Sequence, residues 1–485
     1  LNLTLLLPEL VLVVTAAIVI LLDLFVTGKW WLAKVSLAGL AVSVFISFTM
    51  WGGSYPALFG NMLAVDNYAL FFKIIFLGVA FLLVLASRDY VSKLARFQGE
   101  YYALILLSTL GMMLMAATAE LISIYIALEL TSISLYALVG FLKDRKSTEA
   151  SLKYLLLGAT ASGVLLYGMA LVFGVTGTTQ LGEIASVLGG MTAPALMANP
   201  ALMLGIVLII GGAGFKIAAV PFQMWVPDVY EGAPTTITAF LSVASKAAGF
   251  ALVLRVFFTA FQIPWLSQNW GLIFAWLAVV SMTIGNLAAI PQSNIKRLLG
   301  YSSIAQAGYL MVGVAAMGFA STQSVTGQSG VMFFLASYAF TNIGAFIAII
   351  AITNKVNSDE ISDFTGMMKR SPLVALGLTL CLISLIGMPP AAGFMAKFYI
   401  FSAAVQQGLV WLVIIAVINS VISAYYYLRV VKVMWFGEPA SAESVPSSGA
   451  LRLALLFACI GVLFLGVVPG AVMGLAQIAG KMIVF

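Results

Sequence analysis

Histidine is absent from all 485 residues, and the two cysteines, Cys381 and Cys459, both lie inside apolar runs. Without histidine or a C-x-x-C pair, no ligand set for zinc, haem or an iron–sulfur cluster can be drawn from the chain. No G-x-x-x-x-G-K-[ST] occurs, which argues against nucleotide-driven work by this chain alone. Charge is scarce as well: 8% of residues are Asp, Glu, Lys or Arg, against roughly 25% in soluble domains. What fills the space is hydrophobic, 62% of the residues, with a mean hydropathy of +1.11. Soluble multidomain arrangements are therefore excluded. Any proton relay built from this chain must use Lys, Glu, Asp, Tyr or water.

The apolar residues run in long blocks, without the ten-residue alternation of outer-membrane barrels, so the fold class is an all-α polytopic membrane protein. A span takes about 20 apolar residues. The blocks near 3–25, 31–51, 67–87, 101–118, 120–142, 152–175, 202–225, 235–259, 269–290, 297–318, 330–353, 372–404, 408–435 and 451–478 predict about fourteen. The first, from Leu3 to Phe25, carries Glu9 and Asp23 and no basic leader, and reads as a retained first helix rather than a signal peptide. The twelfth is too long for one plain span and contains GMPPAAGF, so two half-helices around a break are expected.

Lysine and arginine are distributed unevenly over the loops. One face collects Lys29, Lys34, Arg88, Lys93, Arg96, Lys143, Arg145, Lys146, Lys153, Lys296, Arg297, Lys355, Lys369, Arg370, Arg429, Lys432 and Arg452, and the other only Lys481. The positive-inside rule makes the basic face cytoplasmic, with both termini and Lys481 outside and the segment Pro227 to Pro234 inside. The net charge of +6 is thus topological and does not point to nucleic acid.

Five basic side chains fall within spans: Lys73, Lys216, Lys246, Arg255 and Lys397. Glu129, about ten residues from either end of the fifth span, is the deepest acid. A charge at mid-membrane costs about 2.5–3.5 kcal/mol on insertion scales, so it is normally paired or faces water in the bundle. Glu129 is expected to face Lys216 and to bias its hold on a proton; a static ion pair between two helices is the plain alternative. Lys216 follows GGAGF and precedes Pro221, whose missing N–H frees a carbonyl for water. A partly desolvated lysine there can act as a transient proton carrier, or merely as the partner of Glu129. Lys246, in LSVASKAAGF, sits among small residues that leave room for water or for close packing. Lys397 follows Pro389 and Pro390, where a discontinuous helix opens space near the midplane.

Lys73 and Arg255 lie nearer helix ends, and snorkelling to the interface accounts for them. Lys153 is a basic-face anchor or an entry residue. Gln223 can bond water but cannot titrate. Ser302, Ser303 and Gln306, and Asn419, Ser420 and Ser423, could carry water between lysines or could simply tie helices together. The broken seventh and twelfth helices lie five spans apart. Five is odd, so the units around them would be inverted in the membrane, the pattern of secondary transporters.

PDVYEGAP (Pro227 to Pro234) followed by AFLSVASK, ending at Lys246, resembles the antiporter-like subunits of respiratory complex I, the N subunits in particular. So do LELTSISLYAL around Glu129, EASLKY from Glu149 to Tyr154, NIKRLLGYSSIAQAGY from Asn294 to Tyr309, and GMPPAAGFMAKFY from Gly387 to Tyr399. The last also resembles the B subunit of the cyanobacterial and plastid NADH-dehydrogenase-like complex. The likeness runs from about Leu3 to Leu475. It implies one membrane domain over 1–485: N-terminal helices one to three (1–100), a first antiporter-like repeat of helices four to eight (101–259), a second, inverted repeat of helices nine to thirteen (269–435), and a C-terminal helix (451–485). It implies that NADH, FMN, iron–sulfur clusters and quinone are handled by partner subunits, with no cofactor in this chain. It carries the family's helix-five glutamate onto Glu129 and its helix-seven, -eight and -twelve lysines onto Lys216, Lys246 and Lys397. Many such subunits have histidine where this chain has Gln223; if that histidine serves proton entry there, this chain must use water or Lys153 instead.

The reading is a proton-translocating subunit of a bacterial complex-I-type enzyme, multi-pass in the plasma membrane beside other antiporter-like subunits. An Mrp-type cation/proton antiporter subunit is the alternative, against which the PDVYEGAP…SVASK form speaks. A purely structural membrane subunit has no use for four buried charges.

Overall fold

The computed structural model describes residues 3–26, 28–91, 97–320, 325–438 and 443–481. Lys93 and Arg96 of the basic face lie outside the described residues. The described chain is helical apart from turns and isolated bridges. Its helices are α1 (Leu7–Phe25), α2 (Trp30–Thr49), α3 (Asn67–Val91), α4 (Gln98–Ala117), α5 (Leu121–Val139), α6 (Arg145–Thr176), α7 (Leu181–Gly189), α8 (Ala193–Met197), α9 (Pro200–Ile217), α10 (Trp225–Gly232) and α11 (Thr235–Phe240). They continue with α12 (Lys246–Thr259), α13 (Pro264–Ala289), α14 (Ile295–Gly318), α15 (Val325–Val356), α16 (Met367–Arg370), α17 (Pro372–Ile386), α18 (Ala392–Gln406), α19 (Val410–Phe436), α20 (Gly449–Val467) and α21 (Pro469–Gly480).

Thirteen helical stretches among the described residues are long and apolar enough to cross a membrane. The shorter α17, in line with α18 across a break, makes the expected fourteenth. Local chemistry sets many of the starts. Asp144 caps α6 by accepting from Ser147 N at 2.7 Å, Asn294 caps α14, and Asn199 with Pro200 opens α9, each side chain satisfying N–H groups that have no helical partner. At 32 residues and about 1.5 Å per residue, α6 is longer than the hydrocarbon core of about 30 Å and projects its first turns beyond it.

Burial grades inward. The continuous stretch Thr235–Thr259 is fully enclosed, and α14 and α15 nearly so. By contrast α1, α2, α6, α13, α19 and α20 carry exposed apolar residues such as Phe45, Leu156, Val421 and Leu453, the surface hydrocarbon would wet. Three of the basic residues are held by ion pairs, Lys296–Asp359 at 2.9 Å, Arg297–Asp228 at 2.7 Å and Lys153–Asp228 at 2.7 Å.

Three expectations change. The last apolar block, 451–478, is two helices, because Pro469 disfavours helical backbone at Val468 and lacks the N–H needed to continue. The segment Pro227 to Pro234 is largely the short helix α10, packed between α6 and α14. The seventh span ends earlier than expected: α9 stops at Ile217, where Ala218 takes a left-handed φ of 62°.

Candidate functional site

Lys216 occupies the last turn of α9, where unpaired carbonyls gather partial negative charge that suits a cation. Pro221 lies beyond the helix end, so it does not break a continuous helix as the sequence suggested. Two of the closing carbonyls of α9 are held by protein: Phe215 O accepts from Trp225 Nε1 at 3.1 Å, and Gly214 O from Ala219 N at 2.8 Å. Lys216 is buried and donates to Ser132 Oγ on α5 at 3.0 Å. A cavity of about 10 Å³ adjoins it, lined by Ser132, Tyr136, Ser162 and Gly212 among others, near the smallest that admits one water.

Glu129 lies one turn before Ser132 on α5. It is half-buried, with Oε1 enclosed and without a hydrogen-bond partner, and among the described residues it forms no ion pair with Lys216. The static ion pair is thus not formed among the described residues, and Lys216 donates instead to the hydroxyl one turn along.

Lys246 is the first residue after a π-helical turn, Leu241–Ser245, that separates α11 from α12. Such turns insert an extra residue into the helical repeat and recur at functional positions. Sequence patterning did not indicate it. Lys246 is buried and donates to both the carbonyl and the hydroxyl of Ser303 on α14. Ser303 Oγ also bonds Tyr230 Oη at 3.1 Å and accepts from Tyr338 Oη at 3.3 Å. Protein groups, rather than open space, thus surround this lysine.

Lys397 sits one to two turns into α18. It reaches back across the break to donate to the closing carbonyls of α17, Ile386 O at 2.8 Å and Leu385 O at 3.3 Å, and to Ser420 Oγ at 2.8 Å. The Tyr309 ring lies 4.3 Å from its Nζ. The break holds Pro389 and Pro390, turns through Gly387 at φ 92°, and is packed so closely that a Cβ on Gly393 would come 1.8 Å from Ser384 O. A second cavity of about 10 Å³ lies between Tyr338 and Lys397, walled by Gln306, Ser337, Thr341 and Ser384. Tyr338 therefore bonds the partner of Lys246 on one side and lines the space beside Lys397 on the other.

Of the remaining candidates, Ser302 bonds Tyr427 on α19. Gln306 donates to Leu385 O at 3.0 Å, sharing that acceptor with Lys397. Asn419 joins Asn286 in an amide network with Tyr309 and Tyr426, and Ser423 closes on Ser420 O. Gln223 lies in the turn between α9 and α10 with its Oε1 buried and unpartnered. Lys153 bonds Asp228 at 2.7 Å and Glu149 at 2.9 Å at the mouth of a charged crevice of about 240 Å³ between α6, α10 and α14, whose walls also carry Lys146, Glu231 and Arg297. Partial burial of Asp228 pushes its carboxyl up, and hydrogen bonds from Lys153 and Arg297 outweigh this, leaving it below the usual carboxylate range.

Lys73 and Arg255 do not snorkel. Each is 1% exposed and paired with a carboxylate: Lys73 with Glu9 at 2.6 Å, Arg255 with Asp66 at 2.5 and 2.9 Å. Arg255 also donates to Ala116 O at 2.8 Å and lies over the Tyr68 ring. The carboxylates stand close to the starts of α1 and α3, so each inward cation finds its counter-ion within protein and has no need to reach water.

The comparisons with known proteins agree with this architecture. The family model described as "NADH:quinone oxidoreductase/Mrp antiporter, TM" matches residues 118–423. A protein of Dehalococcoides mccartyi named NADH-quinone oxidoreductase subunit N is 49% identical over 98% of this chain and 99% of its own length. A chain of respiratory complex I from Thermus thermophilus superposes with a TM-score of 0.81 at 33% identity, covering 97% of this chain and 99% of that one. A chain of the Mrp complex of a Dietzia species reaches a TM-score of 0.85 over 99% of this chain and 97% of its own length, but at 20% identity it speaks only to the fold. The chain belongs to the NADH:quinone oxidoreductase/Mrp antiporter membrane family and, within it, to the NADH-quinone oxidoreductase subunit N proteins.

Proposed function

We propose that this chain is a proton-translocating membrane subunit of a complex-I-type NADH:quinone oxidoreductase, and that Lys216, Lys246 and Lys397 are its proton carriers. One observation carries the reading: the three lysines are buried, and each is held by hydroxyl or carbonyl oxygens rather than by a carboxylate. A lysine so held gives up its proton without leaving an orphaned anion behind. Protons enter from the cytoplasm at the crevice of Lys153 and Asp228, load Lys246, and pass by Ser303, Tyr338 and the small cavity beyond it to Lys397 for release outside. Glu129, one turn from the acceptor of Lys216, biases that lysine at a distance. Helices four to eight and nine to thirteen form inverted halves, one with the early end of α9 at Ala218 and the other with the double-proline break.

NADH oxidation and quinone reduction, with FMN and iron–sulfur clusters, belong to partner subunits, and neighbouring antiporter-like subunits flank this one. The membrane is the bacterial plasma membrane, with both termini on its outer side. An Mrp-type antiporter shares the fold, but the subunit N names of close, full-length relatives favour the oxidoreductase. In the intact complex in proteoliposomes, Lys216→Ala and Glu129→Ala are expected to lower both coupled turnover and pumping; full pumping in both variants would overturn the proposal.

A further inference from the structure

Phe71, Ile74, Ile75, Gly78, Val79 and Leu82 follow one another on α3 at i, i+3, i+4, i+7, i+8 and i+11, a single stripe of the helix. In a close-packed bundle such a stripe meets another helix. Here it lines a cleft of about 630 Å³, whose other walls come from α2, α15, α20 and α21. A Cβ added to Gly78 would meet no atom within 4 Å. Among the described residues, no side chain lining the cleft is charged or carries a hydroxyl. A water would need two to four polar partners, so the space suits hydrocarbon, and it is about four times the size of an apolar cavity that takes up benzene. Phe48, Phe457 and Leu475, which also line it, are exposed, so the cleft opens onto the apolar outer surface of the bundle.

Its length tells what fits. From Phe71 to Leu82 the lining runs about 16 Å along α3 at 1.5 Å per residue, close to half of a hydrocarbon core of about 30 Å. On α15 the lining ends at Phe340, whose ring centroid lies 6.0 Å from that of Phe457 on α20. Trp51 stands at the other end, just after α2, where Gly52 N donates to Asn67 Oδ1 at 2.9 Å and joins the end of α2 to the start of α3. Tryptophan gathers at headgroup level in membranes. A spanning helix of a partner would need a groove across the whole core, whereas a lipid tail needs one leaflet.

We propose that this cleft is a binding site for the acyl chains of one phospholipid, drawn from the leaflet on the Trp51 side, with the headgroup beside Trp51 and the tails reaching Leu82 and Phe340. The inference goes beyond proton translocation and needs only that the chain lie in a membrane. The lipid packs between the N-terminal helices and α15. That helix presents Ala336, Ala339 and Phe340 to the cleft and, from the same stretch, Tyr338 to Ser303. The occupant therefore supports the back of the helix whose tyrosine bonds the partner of Lys246.

The test uses the intact complex, delipidated in detergent and reconstituted into phosphatidylcholine vesicles in which a fraction of the lipid carries a diazirine on one acyl chain. After irradiation, adducts are mapped by peptide mass spectrometry, and phospholipid retained through delipidation is counted by mass. Adducts are expected on Ile74, Ile75 and Phe340 inside the cleft, and on exposed Phe45 and Leu453 as bilayer-facing controls. Gly78→Leu puts a side chain where no atom stands. It is expected to assemble normally, to lower the cleft adducts tenfold or more and to leave the controls unchanged. Should a native lipid resist exchange, the expected result is one retained phospholipid in the wild type that Gly78→Leu lacks. Control adducts with neither cleft adducts nor such a lipid overturn the proposal, as do cleft adducts that Gly78→Leu does not reduce. Cleft adducts suppressed by a small mole fraction of long-tailed quinone assign the space to that tail and overturn the phospholipid.

Discussion

The molecule buries cations in two ways. Lys73, which ties α3 to α1, and Arg255, which ties α12 to the start of α3, face carboxylates at contact distance. Lys216, Lys246 and Lys397, in the interior, face serines and backbone carbonyls. In a medium of low dielectric the first arrangement resists any change of protonation, since neutralising the cation strands an anion. The second gives up only hydrogen bonds. Burial alone therefore does not mark a mobile proton; the charge of the partner does.

The comparison can be broken most decisively at the interior lysines. Replacing Lys246 or Lys397 by alanine is expected to cost about a hundredfold or more in coupled turnover, the scale of a lost proton-transfer group, measured with pumping in the assembled complex. Paired-type behaviour, with assembly damaged but turnover per complex intact, would erase the distinction. The next effect is one of stability. Asp66→Ala leaves Arg255 buried without its counter-ion and should destabilise by about 3–5 kcal/mol, seen as a lower melting temperature of the complex, while each surviving complex pumps normally. Gly393→Ala forces a methyl against Ser384 O at the second break and should cost about 1–3 kcal/mol of overpacking strain, with a fall in turnover because Lys397 is held by that same helix end.

The smallest effect concerns pH at the crevice. Asp228 is held below the usual carboxylate range by Lys153 and Arg297. A depressed folded-state value means the contribution is complete above the unfolded value and is lost only as pH falls through the folded one. Hydrogen exchange of α10 should therefore hold steady on mild acidification and rise only below the ordinary carboxylate range; Asp228→Asn should show raised exchange already at neutral pH.

Much of this could be read from the chain before folding. Fourteen spans, the basic face, the double-proline break and the three interior lysines are visible because each is a local contrast, a charge or a proline inside an apolar run. Partners are not local. Asp66 lies 189 positions from Arg255, with nothing in its own neighbourhood to mark it, and Ser303, visible as a hydroxyl in an apolar run, lies 57 from Lys246, with nothing to say which lysine it meets. Lys73 and Arg255 were misjudged for that reason: distance from a helix end suggested water, and a carboxylate brought in by another helix supplied the charge instead. Pro221 misled in the opposite sense, since a left-handed Ala218 had already ended the helix.

The π-helical turn before Lys246 sets an angular register. An α-helix advances about 100° per residue, and the extra residue between Leu241 and Ser245 turns everything after it by that much relative to α11. The wide turn absorbs that residue, so closing the same five residues into a regular α-helix would swing the lysine off Ser303, with no side chain of the site altered. The azimuth of this charge is thus written in a length of backbone, and conversion of the wide turn to regular α-helix would silence the lysine while leaving every proton-bearing group in the protein in place.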